Sequence, residues 1–323
     1  PGPVRTARSA NMSSRLTALV VALAALTLAA SSPDRAAVPP RAAALRRSLQ
    51  LRGGGPVQSV ASVKTPPEAY RSLAEKGAAN AKLDPLKILH QSIMGGCYVG
   101  FGGLLSTMVA GNVPGIAASN PGLQKLLFAA LFPMNLLLIL NTGGQLFTGN
   151  AAAVPAALYE GLVTFPLLVQ SWLLSFVGNL IGCAGFALAA NYCGIVTGGA
   201  AELAASTAVK KCGATFGPTL VKAVLCNWLV CLAVWLAGAA NDMAGKMVGI
   251  WFPISTFVAI GFEHSVANMF LLPLGLLKGA DLSLGDVLLK NMLPVTIGNA
   301  VAGALIVAAG YSYAFGKLGE EKA

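Results

Sequence analysis

The chain has 323 residues, 55% of them hydrophobic and only 11% charged, against about 25% charged in ordinary soluble domains, so a water-soluble globular protein is excluded. The net charge of +10 marks no nucleic-acid partner, because nine of the basic residues fall in 1–64 beside one acid, Asp34, and the apolar remainder has no basic polar face. Six cysteines without a CxxC pair and two histidines argue against a metal site, and no cofactor is expected.

Met12 reads as an initiator, which makes residues 1–11 translated upstream sequence. Arg15, the apolar run 16–30 and the small residues Ala29-Ala30-Ser31 give residues 12–31 the order of a signal peptide, and the run is too short to span a bilayer. Residues 32–80 read as a transit-like presequence and linker, rich in Ala, Arg, Ser and Pro and nearly free of acids up to Lys64. The pair is similar to the bipartite presequences of algae whose plastids carry extra envelope membranes. It implies a plastid envelope location; a plain signal anchor, and with it the plasma membrane, is the alternative. The folded domain is expected over residues 81–323.

A first span is predicted at about 88–110, with Gly95, Gly96, Gly100, Gly102 and Gly103 spaced for close helix contact in lipid. Residues 111–122 follow as a loop. The second apolar run, 126–140, gives way to the polar, glycine-rich 141–150 and resumes over 151–158. Fifteen helical residues cover about 22 Å, short of the roughly 30 Å hydrocarbon core. The polar stretch cannot face lipid with its backbone unpaired. A discontinuous second helix is therefore predicted, its break buried in protein or lining a cavity. Residues 162–190 and 221–240 are the third and fourth spans. The fifth runs over 247–260, breaks at Gly261-Phe262-Glu263-His264-Ser265 and continues over 266–277, and the sixth is 288–311. Basic residues near the helix ends are balanced and do not orient the protein. Cys193 and Cys212 flank one loop and form the one disulfide pairing that the spacing leaves open.

An internal echo supports two halves of three spans. Val177-Gly178-Asn179-Leu180-Ile181-Gly182 and Ile297-Gly298-Asn299-Ala300-Val301-Ala302 are 120 residues apart, as are Gly144 and His264 at the two breaks. Three is odd, so the halves must have opposite topology, and inverted repeats with paired broken helices point to a permeation site at the midplane.

An ionisable residue at bilayer depth costs several kcal/mol (about 2.5 or more) and reads as functional. Glu263-His264 is the ionisable pair at that depth. Histidine suits a proton-linked role, because modest changes around it alter its charge near neutral pH. A small anion beside it is either held by attraction or takes a proton and leaves as the neutral acid. The second half of each broken helix starts with free N–H groups, which favour anions, and Thr148 adds a hydroxyl. Glu263 is expected to bond loop N–H groups or neighbouring helices, and His90 to lie at the interface.

Four motifs then agree in order: Leu146-Phe147-Thr148-Gly149-Asn150, Cys226-Asn227-Trp228-Leu229-Val230-Cys231-Leu232-Ala233-Val234-Trp235, Gly261-Phe262-Glu263-His264-Ser265-Val266-Ala267-Asn268-Met269, and Asn291-Met292-Leu293-Pro294-Val295-Thr296-Ile297-Gly298-Asn299. Over residues 82–313 the chain resembles the formate/nitrite transporter family. The resemblance implies an all-α membrane protein, six transmembrane helices in an aquaporin-like inverted repeat with helices two and five interrupted. It implies a homopentamer in lipid, with one pore per subunit for small monovalent anions such as nitrite or formate; proton exchange or simple attraction at His264 are the two readings of the chemistry there. His264 would face Thr148 at the pore centre, with Asn227 nearby. Phe132, Leu136 and Phe257 would form constrictions with Leu146 and Phe147, and Lys211 would attract anions in a vestibule. Gln145 stands where many members carry an acid. A membrane protease would want a Gly-x-Ser-Gly motif, which is absent, and no enzyme is expected. A channel for neutral solutes is the alternative, although paired Asn-Pro-Ala motifs are absent.

Overall fold

The computed structural model describes residues 17–18 and 63–320, so the readings made of the presequence fall almost wholly outside the described residues. The described chain is helical apart from its connections and one isolated bridge between Val63 and Ala240. The helices are α1 (Pro66–Ala81), α2 (Pro85–Gly111), α3 (Pro114–Ser119), α4 (Pro121–Leu131), α5 (Met134–Thr142), α6 (Phe147–Tyr159), α7 (Phe165–Tyr192), α8 (Gly198–Cys212), α9 (Phe216–Ala239), α10 (Met243–Ile260), α11 (Ser265–Leu277) and α12 (Leu284–Phe315). Among the described residues, six stretches are long and apolar enough to cross a membrane: α2, α4 with α5, α7, α9, α10 and α12. Prolines open α1, α2, α3, α4 and α7 in the first turn, where the missing N–H has no partner to lose. The side chains of Asp84 and Asp242 accept Leu86 and Gly245 N–H groups at the starts of α2 and α10.

Two expectations change. Residues 111–122 are not a plain loop, because Pro114 starts the short helix α3 and Asn120 then caps α4 by accepting Leu123 N–H at 3.0 Å. The folded domain also begins before residue 81. Tyr70, Leu73 and Ala74 of α1 are buried against Ala153, Trp235 and Ala239, so a helix counted as linker is part of the core. The low mean hydropathy of α1 hid this, since only one of its faces is covered.

The inverted repeat is visible in the packing. Each half has a helix lying before its first span, α1 and α8, and these pack on the second pieces of the broken helices, α6 and α11. Each such piece also crosses to the other half: α6 packs on α12 and α11 on α7. Within the first half, α2 and α7 approach so closely that a Cβ on Gly96 or Gly182 would meet backbone of the facing helix.

The two breaks are built alike. Helix α5 stops at Thr142 with Gly143 at φ +84°, and α6 starts at Phe147. Helix α10 stops at Ile260 with Gly261 at φ +85°, and α11 starts at Ser265. Left-handed backbone is nearly free only for glycine, which fixes both stops. The equivalent positions are 118 residues apart, two fewer than the echo between the third and sixth spans. Gln145 therefore corresponds to Glu263, Leu146 to His264 and Asn150 to Asn268, and the expected match of Gly144 with His264 is two residues out of register. Helices α6 and α11 have 13 residues each, about 20 Å, and neither spans alone.

The echoed asparagines hold these breaks. Asn179 accepts Phe147 N–H at 2.9 Å and donates to Ser92 O at 2.7 Å and Gln145 O at 2.9 Å. Asn299 accepts Ser265 N–H at 2.8 Å and donates to Ala223 O at 2.8 Å and Glu263 O at 3.1 Å. Both are fully buried. Each supplies donors and an acceptor to backbone that has left its helix. Replacing Asn299 by Ala is expected to cost on the order of 2–4 kcal/mol by orphaning buried groups. Thermal melting of the purified protein checks this: Asn299→Ala should melt well below Thr296→Ala, whose hydroxyl only bonds its own helix at Met292 O.

Candidate functional site

The break before α11 presents His264 as the residue ahead of the helix, with an extended backbone at φ −113° and ψ 119°. Its Nδ1 accepts Ala267 N–H at 3.0 Å, so the ring itself caps α11. An amide N–H can point only at a bare ring nitrogen, which places the proton of the neutral imidazole on Nε2. Nε2 lies 3.0 Å from Thr148 Oγ1, in the first turn of α6 from the other break. With the proton on Nε2, the histidine donates and the threonine oxygen accepts. The ring also stacks on Phe257, centroids 5.6 Å apart. The two broken helices thus meet tip to tip, and both polar groups are buried.

Cavities approach His264 from two sides, while Thr148 borders none of the four and meets them only through the histidine. One of about 320 Å³ reaches His264 from the side of α8, past Phe132 and Phe257. Those two rings and His264 also wall a pocket of about 10 Å³ that continues to Leu136 and Leu146. Leu136 and Leu146 in turn wall a pocket of about 20 Å³ that continues to Lys76, Leu140 and Val234. These three residues border a fourth cavity of about 230 Å³ beside α1. Adjacent cavities share walls all the way through the subunit. The narrowest has room for about one water molecule.

Of the expected constriction residues, Phe132, Leu136, Leu146 and Phe257 wall the smallest of these pockets. Phe147 does not. Its ring turns away to pack edge-on against Trp172 and Phe176, because successive residues at a helix start diverge and those rings offer an apolar seat. Val99, Asn135, Val230 and Ile254 complete the narrow part. Asn135 was findable as the one polar residue in the apolar run 126–140; its side-chain N–H group has no partner among the described residues. Asn227 is fully buried and borders none of the four cavities. Its Nδ2 donates to Thr148 O at 3.2 Å and Asn299 O at 2.7 Å, so it brackets the two breaks together.

The larger vestibule is basic. Lys125, Lys210, Lys211 and Lys222 line it. Lys211 alone reaches inward, its Nζ 3.1 Å from Glu263 Oε2. Asn268 and Asn291 donate to the same oxygen at 2.7 and 3.1 Å. Glu263 is thus tied to neighbouring helices, and its charge is matched by the lysine. Among the described residues the cysteines are free, and Cys193 is exposed while Cys212 is buried, so the pairing left open by the spacing is not formed. His90 is exposed at the start of the first span.

The sequence profile of the formate/nitrite transporter family matches residues 67–313, α1 included. A probable formate transporter of Methanothermobacter thermautotrophicus is 39% identical over 272 residues, which is 79% of this chain and 98% of that protein. A solved FNT family ion channel superimposes with a TM-score of 0.70 at 30% identity, covering 76% of this chain and 98% of that one. A pentameric formate channel with formate bound gives 0.64 at 27% identity, covering 72% and 98%.

The Lys211–Glu263 pair generates a stability prediction. Lys211→Gln leaves a buried carboxylate without its cation and should cost about 3–5 kcal/mol. Adding Glu263→Gln should recover much of that loss, because the neutral amide can still bond the two asparagines. Thermal melts of both single variants and the double variant check this. A double variant no more stable than Lys211→Gln would show that the pair is not coupled.

Proposed function

The chain belongs to the formate/nitrite transporter family, and on that footing we propose that it carries small monovalent anions, formate or nitrite, through a pore inside each protomer. The observation that carries this reading is the buried ring of His264, which borders both the 320 Å³ cavity and the narrow pocket beyond it and is held by Thr148 at 3.0 Å. The pentameric formate channel that this chain resembles supports a homopentamer as the working form. Trp251, Phe252, Met247 and Val248 of α10 are exposed apolar residues suited to lipid or a neighbouring subunit. The acid-poor, arginine-rich stretch before Lys64 supports a plastid envelope as the location, which mass spectrometry of the mature N-terminus would test.

The chemistry follows from the donors. An anion entering the apolar collar sheds its water, and the loss is offset only if protein donors replace it. Nε2–H of His264 and the hydroxyl of Thr148 are those donors, and the collar keeps water from competing with them. A cation of the same size meets donors where it needs acceptors. The sequence left open proton exchange or simple attraction at His264. A second ring proton would sit on Nδ1, where Ala267 N–H now points, and would break the cap of α11. The intact cap therefore supports a neutral ring that attracts by hydrogen bonding. The basic vestibule gathers anions before they reach it.

Proteoliposome flux tests the reading, with formate and nitrite entering and glycerol excluded. Glycerol uptake with no anion flux would favour the neutral-solute alternative. His264→Phe, similar in size, should assemble normally yet lower formate flux about a hundredfold, the loss typical when one preorganised donor is removed. Unchanged flux would remove the ring from the pathway. Phe257→Ala should open the collar and raise the lactate-to-formate flux ratio about tenfold. A ratio equal to wild type would show that this ring is no filter.

A further inference from the structure

The inverted repeat gives each mouth of the pore the same parts, and one part differs. In the second half Lys211, next to last in α8, reaches Glu263 of the break, and Asn268 joins them. In the first half the corresponding positions hold Asn80, next to last in α1, with Gln145 and Asn150. They form a neutral chain: Asn80 donates to Asn150 at 2.9 Å, and Asn150 donates to Gln145 at 2.9 Å. The α1 mouth therefore has no lysine where the α8 mouth has Lys211.

Lysines stand close by instead. Lys76 precedes Asn80 by one helical turn on the same face of α1 and walls both the 20 Å³ pocket and the 230 Å³ cavity. Lys246, in the first turns of α10, walls the same outer cavity. Neither side chain has a hydrogen-bond or ion-pair partner among the described residues. The third lysine at this rim, Lys64, is already bonded to Ser72 Oγ and Gly238 O, both at 2.9 Å. The neighbouring acids are turned elsewhere: Glu75 is exposed, and Asp242 accepts Gly245 N–H at 2.8 Å.

We propose that Lys76 and Lys246 together form an anion-collecting site at the α1 mouth, where a small monovalent anion such as formate is held before it enters the collar. The site gives this face lysines unpaired among the described residues, as Lys125, Lys210 and Lys222 do for the vestibule beside α8. Burial and the nearby Lys246 ammonium both push the Lys76 ammonium below the usual lysine range, and an anion between the two relieves the repulsion. Two half-buried cations without counter-ions, on the wall of a cavity that leads to the pore centre, are otherwise unexplained by packing. The inference rests on the pore reading given above.

The test is formate entry into proteoliposomes sorted by sidedness, using protease access to a C-terminal tag, with initial rates measured at each face and at low and high salt. In wild type, entry at the α1 face should fall as salt rises, since screening weakens attraction. The double variant Lys76→Gln, Lys246→Gln should raise the half-saturating formate concentration at that face roughly threefold to tenfold and lose the salt dependence. Entry at the α8 face should stay as in wild type, and Lys76→Arg should restore the α1 face. A double variant with wild-type half-saturation, or one shifted equally at both faces, would overturn the site. If the double variant does not assemble, wild type decides alone: salt-independent entry at the α1 face overturns the site. A wild type that carries neither formate nor nitrite overturns the pore reading itself, an outcome distinct from a conducting protein whose lysines are idle.

Discussion

A backbone that leaves its helix inside a membrane must find partners for every N–H and C=O it frees, and this requirement organises the whole protein. Asn179 and Asn299 meet it, each from the third span of its half, with two hydrogen bonds to backbone at one break and a third to the first span of that half. Asn227 then ties the first turn of one broken helix to Asn299, which holds the other. With glycine ending the first piece of each broken helix, these amides satisfy the freed backbone at 143–146 and 261–264 and hold the two breaks where His264 and Thr148 meet.

Given the breaks, the chemistry of the centre is narrowly set. The cap that His264 provides to α11 fixes its orientation and its tautomer in one contact, and Thr148 arrives from the other break at hydrogen-bond distance. Apolar side chains at 132, 136, 146 and 257 wall the narrow pocket beside the ring. Charge is kept outside this collar. Glu263, adjacent to His264 in sequence, turns to Lys211, Asn268 and Asn291, so the centre faces a balanced pair rather than a bare carboxylate. An anion channel needs that separation, because a naked acid beside the donors would repel its substrate.

Much of this was legible in the sequence. Two apolar runs too short to span, each joined to another through glycine and polar residues, announced the breaks, and the Gly-Asn echo marked the asparagines that hold them. The family resemblance set His264 opposite Thr148 with five apolar residues around them, of which Phe147 turns away. What escaped had physical causes. Helix α1 buries only one face, so its composition resembles linker rather than core. Phe147 adjoins Leu146 in the same motif, yet one step along a helix start sends its ring to Trp172 and Phe176. The register of the breaks differs by two residues from that of the spans, since connections tolerate length changes that packed helices do not. Val99, Val230 and Ile254 carry no distinctive chemistry, and only the packing reveals that they wall the constriction.

The most direct measurement of the central claim is nitrogen-15 NMR of the histidine-labelled protein in liposomes, where only His90 and His264 contribute signals. A buried ring with hydrogen on Nε2 and a bare Nδ1, whose Nε2 signal moves when formate is added, is the predicted result. A doubly protonated ring, a proton on Nδ1, or a signal indifferent to formate would contradict it.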